Sequence, residues 1–113
     1  MEKIVEQGLL YDFYGELLTE HQRKIYEDVV YNDLSLAEIA EENGISRQGV
    51  HDMVRRCNRT LQGYEDKLHL IERFMQVRVN VSRVQELAED LELTREELIT
   101  QIRHLTGQIL EEL

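Results

Sequence analysis

Arg47, Gln48, Arg55, Arg56 and Arg59 crowd into one short stretch, with His51 among them and Ser46 just ahead. Each type offers a donor that an anion or a base edge can use. A guanidinium is a planar fork that fits guanine or two phosphate oxygens, and a glutamine amide fits adenine. A serine at a helix start caps the helix and leaves backbone N–H groups able to meet a phosphate. The chemistry of this set is recognition of a polyanion rather than bond-making. Residues 46–60 hold four arginines against Asp52, a net +3 in a chain of net −10, so the remainder carries −13. Phosphate contacts supply most non-specific affinity for nucleic acid. The basic island therefore points to DNA, and the acidic background points to a protein- or RNA-interaction module.

The residues that must position this set read LAEIAEENGISRQGVHDMVR, residues 36–55. A helix-turn-helix needs a small residue where its helices touch, and Ala40 supplies it. Its turn needs a glycine in the left-handed region, and Gly44 follows four residues later. Ile45, Val50 and Met53 then fall at the inward slots, with Ile39 completing the first helix. The N-terminal part of the second helix of such a motif enters the major groove. Ser46, Arg47, Gln48, His51, Arg55, Arg56 and Arg59 are thus the candidate DNA contacts. Arg47 and Gln48 are suited to bases, Arg56 and Arg59 to phosphates.

The rest of the chain reads as helices. There is no proline and there are only six glycines in 113 residues, so few positions interrupt a helix. Leu9, Leu10, Phe13, Tyr14, Leu17 and Leu18 form the stripe of a first helix. Thr19 with Gln22, Ser35 with Glu38 and Thr94 with Glu97 are capping boxes that open three others. From Ser46 the spacing predicts one helix to about Asn80. Its heptad seam runs Val50, Val54, Cys57, Leu61, Tyr64, Leu68, Ile71 and Met75, and Gly63 could bend it. A second stripe, Leu70, Phe74, Val77 and Val81, shares its far end. A further helix is expected from Ser82, with Val84, Leu87, Ala88 and Leu91 inward, and a last one with Leu98, Ile102, Leu105, Ile109 and Leu113. Residues 84–103 echo residues 36–55, but Glu92 stands where the turn glycine would be, so a plain helical hairpin is expected there.

Residues 9–68 resemble the YlxM family of bacterial helix-turn-helix proteins. The resemblance is carried by YDFYGELLT, DLSLAEIAEE, the SRQGV opening of the second motif helix and the closing YEDKL. Relatives in that family often have alanine, tyrosine and asparagine where this chain has Gly49, His51 and Met53. The resemblance implies a DNA-binding regulator of sigma-70 region 4-like type, encoded beside the signal recognition particle GTPase. It also implies an alternative role as a modulator of that pathway's GTPases, with the motif as scaffold.

The expected fold is all-α. A three- to four-helix head, sigma region 4-like or winged-helix-like, runs into a long helix and a C-terminal helical hairpin. Residues 1–62 are read as the head and 63–113 as the extension that packs or dimerises. A homodimer is expected, because the seam outruns what one head can cover. The histidines, His21, His51, His69 and His104, form no pair at metal-ligand spacing, and Cys57 lies on the apolar seam. No glycine-rich phosphate loop is present. The expectation is a cytoplasmic protein without enzymatic activity, metal or cofactor and without membrane insertion.

Overall fold

A computed structural model describes residues 3–113. The chain forms two compact units, one ending at His69 and the other running from Leu70 to Leu113.

The first unit is built from caps outward. Helix α1, Lys3–Tyr14, tightens into a 3-10 turn at Gly15–Leu17. Leu18 is extended, and Thr19 caps α2, Glu20–Val30. Thr19 Oγ1 accepts the Gln22 N–H at 3.2 Å while Gln22 Oε1 accepts the Thr19 N–H at 3.0 Å, the full reciprocal box. Helix α3, Leu36–Asn43, starts at Ser35, whose hydroxyl accepts the Glu38 N–H at 3.1 Å. Only half of that box forms. The Glu38 carboxylate accepts a hydrogen bond from the Ser35 hydroxyl, at 3.2 Å, instead of from the backbone N–H.

The turn after α3 is the one that the motif requires. Gly44 stands at φ +64°, and the Ile45 N–H bonds back to the Ala40 carbonyl at 3.1 Å. This satisfies a carbonyl that a helix end otherwise leaves open. Ser46 then caps α4, Arg47–Leu68, by accepting the Gly49 N–H at 2.9 Å. Ile25, Ile39, Ala40 and Val50 form the core where α2, α3 and α4 meet, with Ile45, Met53 and Val54 packed around it. Helix α1 lies against α2 and α4 and adds Leu10 and Tyr14, which pair in burial with Tyr26, Cys57 and Leu61. All described elements are helical, so the head carries no wing among the described residues.

Two sequence expectations about helix length change. Helix α4 passes straight through Gly63 but stops at Leu68, not near Asn80. His69 takes the left-handed conformation (φ +55°), and α5, Leu70–Glu89, begins at once. The physical reason is in the two stripes. On one continuous helix the seam ending at Leu68 and the stripe beginning at Leu70 would lie roughly 150° apart. With the break after Leu68, each stripe lies on its own helix. The compact units consequently meet at His69 and Leu70, seven residues beyond the boundary placed between 62 and 63. The second change is at Ser82, which starts nothing and lies in mid-helix in α5.

In the second unit α5 pairs with α6, Arg95–Glu112, as a helical hairpin. Asp90 accepts the Glu92 N–H at 3.0 Å in the turn, and Thr94 with Glu97 forms the complete box. Leu87 and Leu105 are buried, and Val84, Leu98, Ile102 and Ile109 are half-buried. Ala88, Leu91 and Leu113, expected inward, are exposed, Leu91 by 95%. Among the described residues the positive φ angles fall at Asp33, Gly44 and His69, so Glu92 does not copy the left-handed turn of the first motif.

Candidate nucleic-acid interface

Helix α4 divides cleanly into an inner and an outer face. Val50, Cys57 and Leu61 are buried, and Met53 and Val54 are half-buried. The outer face in its first half carries Arg47, Gln48, His51, Arg55, Arg56 and Arg59, all exposed, and Ser46 stands exposed at its start. The sequence's candidate contacts are therefore brought onto one helix, spread over about half its circumference from Arg47 to Arg56. Ala40, Gly44, Ile45, Val50 and Met53 occupy the inner and turn positions read for them.

The electrostatics of this face follow from who pairs with whom. None of the four arginines forms an ion pair with a carboxylate among the described residues. Arg55, Arg56 and Arg59 surround a concavity of about 180 Å³, with Asp52 as its fourth wall. Asp52 is engaged by Gln48, whose Nε2 donates to it at 3.0 Å one turn away. The bond holds the Gln48 amide along the helix surface, so a base contact by Gln48 would have to exchange Asp52 for the base. Among the described residues no such bond holds the arginine forks, although Asp52 stands beside Arg55, Arg56 and Arg59.

The helix is held in place by contacts that its seam does not reveal. The Tyr26 hydroxyl donates to Asn58 Oδ1 at 2.6 Å, and the Tyr14 hydroxyl donates to Glu65 Oε1 at 2.5 Å. Tyr11 stacks on Tyr26 with ring centroids 5.5 Å apart and donates to Glu27. Arg23 Nε in turn donates to the Tyr11 oxygen at 3.3 Å. Burial pushes the Tyr26 phenol well above its usual range and also raises the Cys57 thiol, which Arg56 pulls down by less. These tyrosine tethers were missed by the sequence reading. Their signal was available in Tyr11 and Tyr14, one turn apart on α1. Asp28 was missed too: it is buried, with Oδ1 accepting from Asn32 at 2.8 Å.

Comparison with known proteins agrees with this architecture. A family model described as "Putative helix-turn-helix protein, YlxM / p13 like" matches residues 1–105. A UPF0122 protein of Clostridium kluyveri is 46% identical over 92 residues, covering 80% of this chain and 82% of that one. One from Thermoanaerobacter sp. strain X514 is 43% identical over 88 residues, 78% and 73% of the two chains. One from Bacillus thuringiensis is 40% identical over 98 residues, 87% and 89% of the two. With the helix-turn-helix built as its residues require and the match running through it, the chain belongs to the YlxM / p13-like helix-turn-helix family.

Proposed function

We propose that this protein is a DNA-binding regulator that reads the major groove with the first half of α4. The observation that carries this reading is the exposed outer face of Arg47, Arg55, Arg56 and Arg59, without a carboxylate ion pair among the described residues and opposite a buried core face. Ser46 and the first turn of α4 meet phosphate, Arg47 and Gln48 meet base edges with His51 beside them, and Arg55, Arg56 and Arg59 follow the backbone. The regulator acts as a homodimer, since two heads match two half-sites. A mobility-shift series at two salt concentrations tests the reading. Arg47→Ala should relax sequence preference, at about 1–3 kcal/mol for a base contact. Arg56→Ala should weaken all sequences alike. Unchanged binding by both variants would sink this surface as the reading head.

A second reading has its own support. A groove of about 470 Å³ runs between α1 and α4, floored by Leu10 and Gly63 and edged by Glu6, Asp66 and Arg59. Together with the −13 background it suits a protein partner, and the family resemblance points to components of the signal recognition particle pathway. Titration of the protein against the particle's RNA and GTPase, with no shift of any DNA, would favour this module over the regulator.

A further inference from the structure

Asp52 is the one carboxylate in residues 46–60, and it stands where an acid is least expected on a helix that meets a polyanion. Val50, Cys57 and Leu61 mark the buried side of α4. At 100° per residue, Gln48, Asp52 and Arg59 lie within about 20° of the line directly opposite that side. When such a helix is laid in the major groove, this line faces the groove floor, where base edges stand rather than phosphates. Asp52 is half-buried there, and it shares its concavity with Arg55, Arg56 and Arg59. Gln48 Nε2 donates to Oδ1 of the carboxylate at 3.0 Å. Among the described residues Oδ2 accepts no hydrogen bond, and no arginine closes an ion pair on Asp52. One oxygen is therefore held from within the helix while the other is left as an acceptor.

A carboxylate can only accept. In the major groove guanine offers O6 and N7, thymine offers O4, and adenine offers N7, all acceptors that repel it. The donors are the N4 amine of cytosine and the N6 amine of adenine. Adenine N6 stands beside N7, so a carboxylate reaching for it meets an acceptor on the same base. Cytosine presents N4 with no acceptor of its own beside it in the groove. We propose that Asp52 is a specificity-determining residue whose Oδ2 accepts from N4 of a cytosine, so that the DNA site carries a C·G pair at that step. This deepens the DNA reading above and rests on it. The three arginines make the position tolerable, because their charges offset the repulsion that a lone carboxylate meets between two phosphate strands. The bond from Gln48 fixes the carboxylate beforehand, so less side-chain freedom is lost on contact.

The test uses the full chain and a library of random duplexes. Sites enriched by the wild type should hold cytosine at one fixed position. In mobility shifts, replacing that C·G pair by T·A or by G·C should weaken wild-type binding on the order of tenfold. Asp52→Ala should bind the original and the replaced duplexes about equally, and should bind random duplex more tightly than the wild type does, since one repelling charge is gone. Asp52→Asn should move the preference at that position to adenine, whose N6 and N7 an amide fits. Neither variant should change the preferred bases elsewhere in the site. If the wild type enriches no duplex, the DNA reading falls and this inference falls with it. Enrichment without a fixed cytosine overturns this inference alone. So do Asp52 variants that leave every base preference unchanged, or that weaken all sequences evenly. The expected result is a changed base preference in a chain that still binds, which misfolding cannot imitate.

Discussion

Gly44 stands at φ +64° with no atom within 4 Å of where a Cβ would be, so only the backbone objects to a side chain there. The left-handed region costs an L-residue about 1–2 kcal/mol, more if β-branched. Gly44→Val should lower the urea midpoint accordingly, and Gly44→Asn should lower it less, because asparagine tolerates that region. Equal midpoints for the two variants would show that the turn is not held by φ. Tyr31 makes a different prediction. Its phenol is pushed up to about 12, first by burial and then by the bond it donates to Asp12 at 3.1 Å. A raised folded pKa gives stability that is whole below the unfolded value of 10 and is lost as pH climbs towards about 12. Tyr11 and Tyr26 shift in the same direction. Urea midpoints should therefore fall in that alkaline window, and the fall should be smaller in Tyr31→Phe. Cys57 is buried with its thiol raised by desolvation, so thiol reagents should label it only as fast as the protein opens.

At the scale of elements, the motif was legible because each slot is a local demand. A small contact residue, a left-handed turn and an N-cap are each met within a few residues, and Ala40, Gly44 and Ser46 sit where those demands put them. The same holds for the boxes at Thr19 and Thr94. What was not legible is where a helix yields to a long-range requirement. Nothing in the local propensity around Leu68–Leu70 marks a stop, and His69 enters a region uncommon for any residue but glycine. The break separates two apolar stripes that would face different ways on one continuous helix. The tyrosine tethers escaped for a similar reason: Tyr14 and Glu65 are fifty-one residues apart and meet only in the fold. The outer face of α4 depends on this inner packing. Ile39 is fully buried against Ile25 and Val50, and Ile39→Ala should cost about 2–5 kcal/mol. Gly15→Ala presses a methyl to within 2.8 Å of the Tyr11 ring, which is stacked on Tyr26 and cannot easily retreat. Circular dichroism melts should show both variants destabilised, with DNA binding lost in proportion to unfolding rather than outright.

For the whole molecule, the question is how an acidic chain holds a polyanion. Long-range repulsion from the −13 remainder is screened beyond about 8 Å at physiological salt, whereas contacts made by the arginines act at touching distance. The net charge should therefore slow encounter and depress affinity at low salt without abolishing binding. The number of phosphates neutralised sets the salt slope, at about −0.9 per phosphate on duplex DNA. One head offers Arg55, Arg56 and Arg59 to the backbone, and a dimer offers them twice. The plot of log affinity against log salt should then have a slope of roughly −5 for two engaged heads and about half that for one. Arg59→Ala should flatten the dimer's slope by about two, since each head loses one phosphate. A slope near zero in the wild type, at any affinity, would mean that the arginine face is not what holds the DNA.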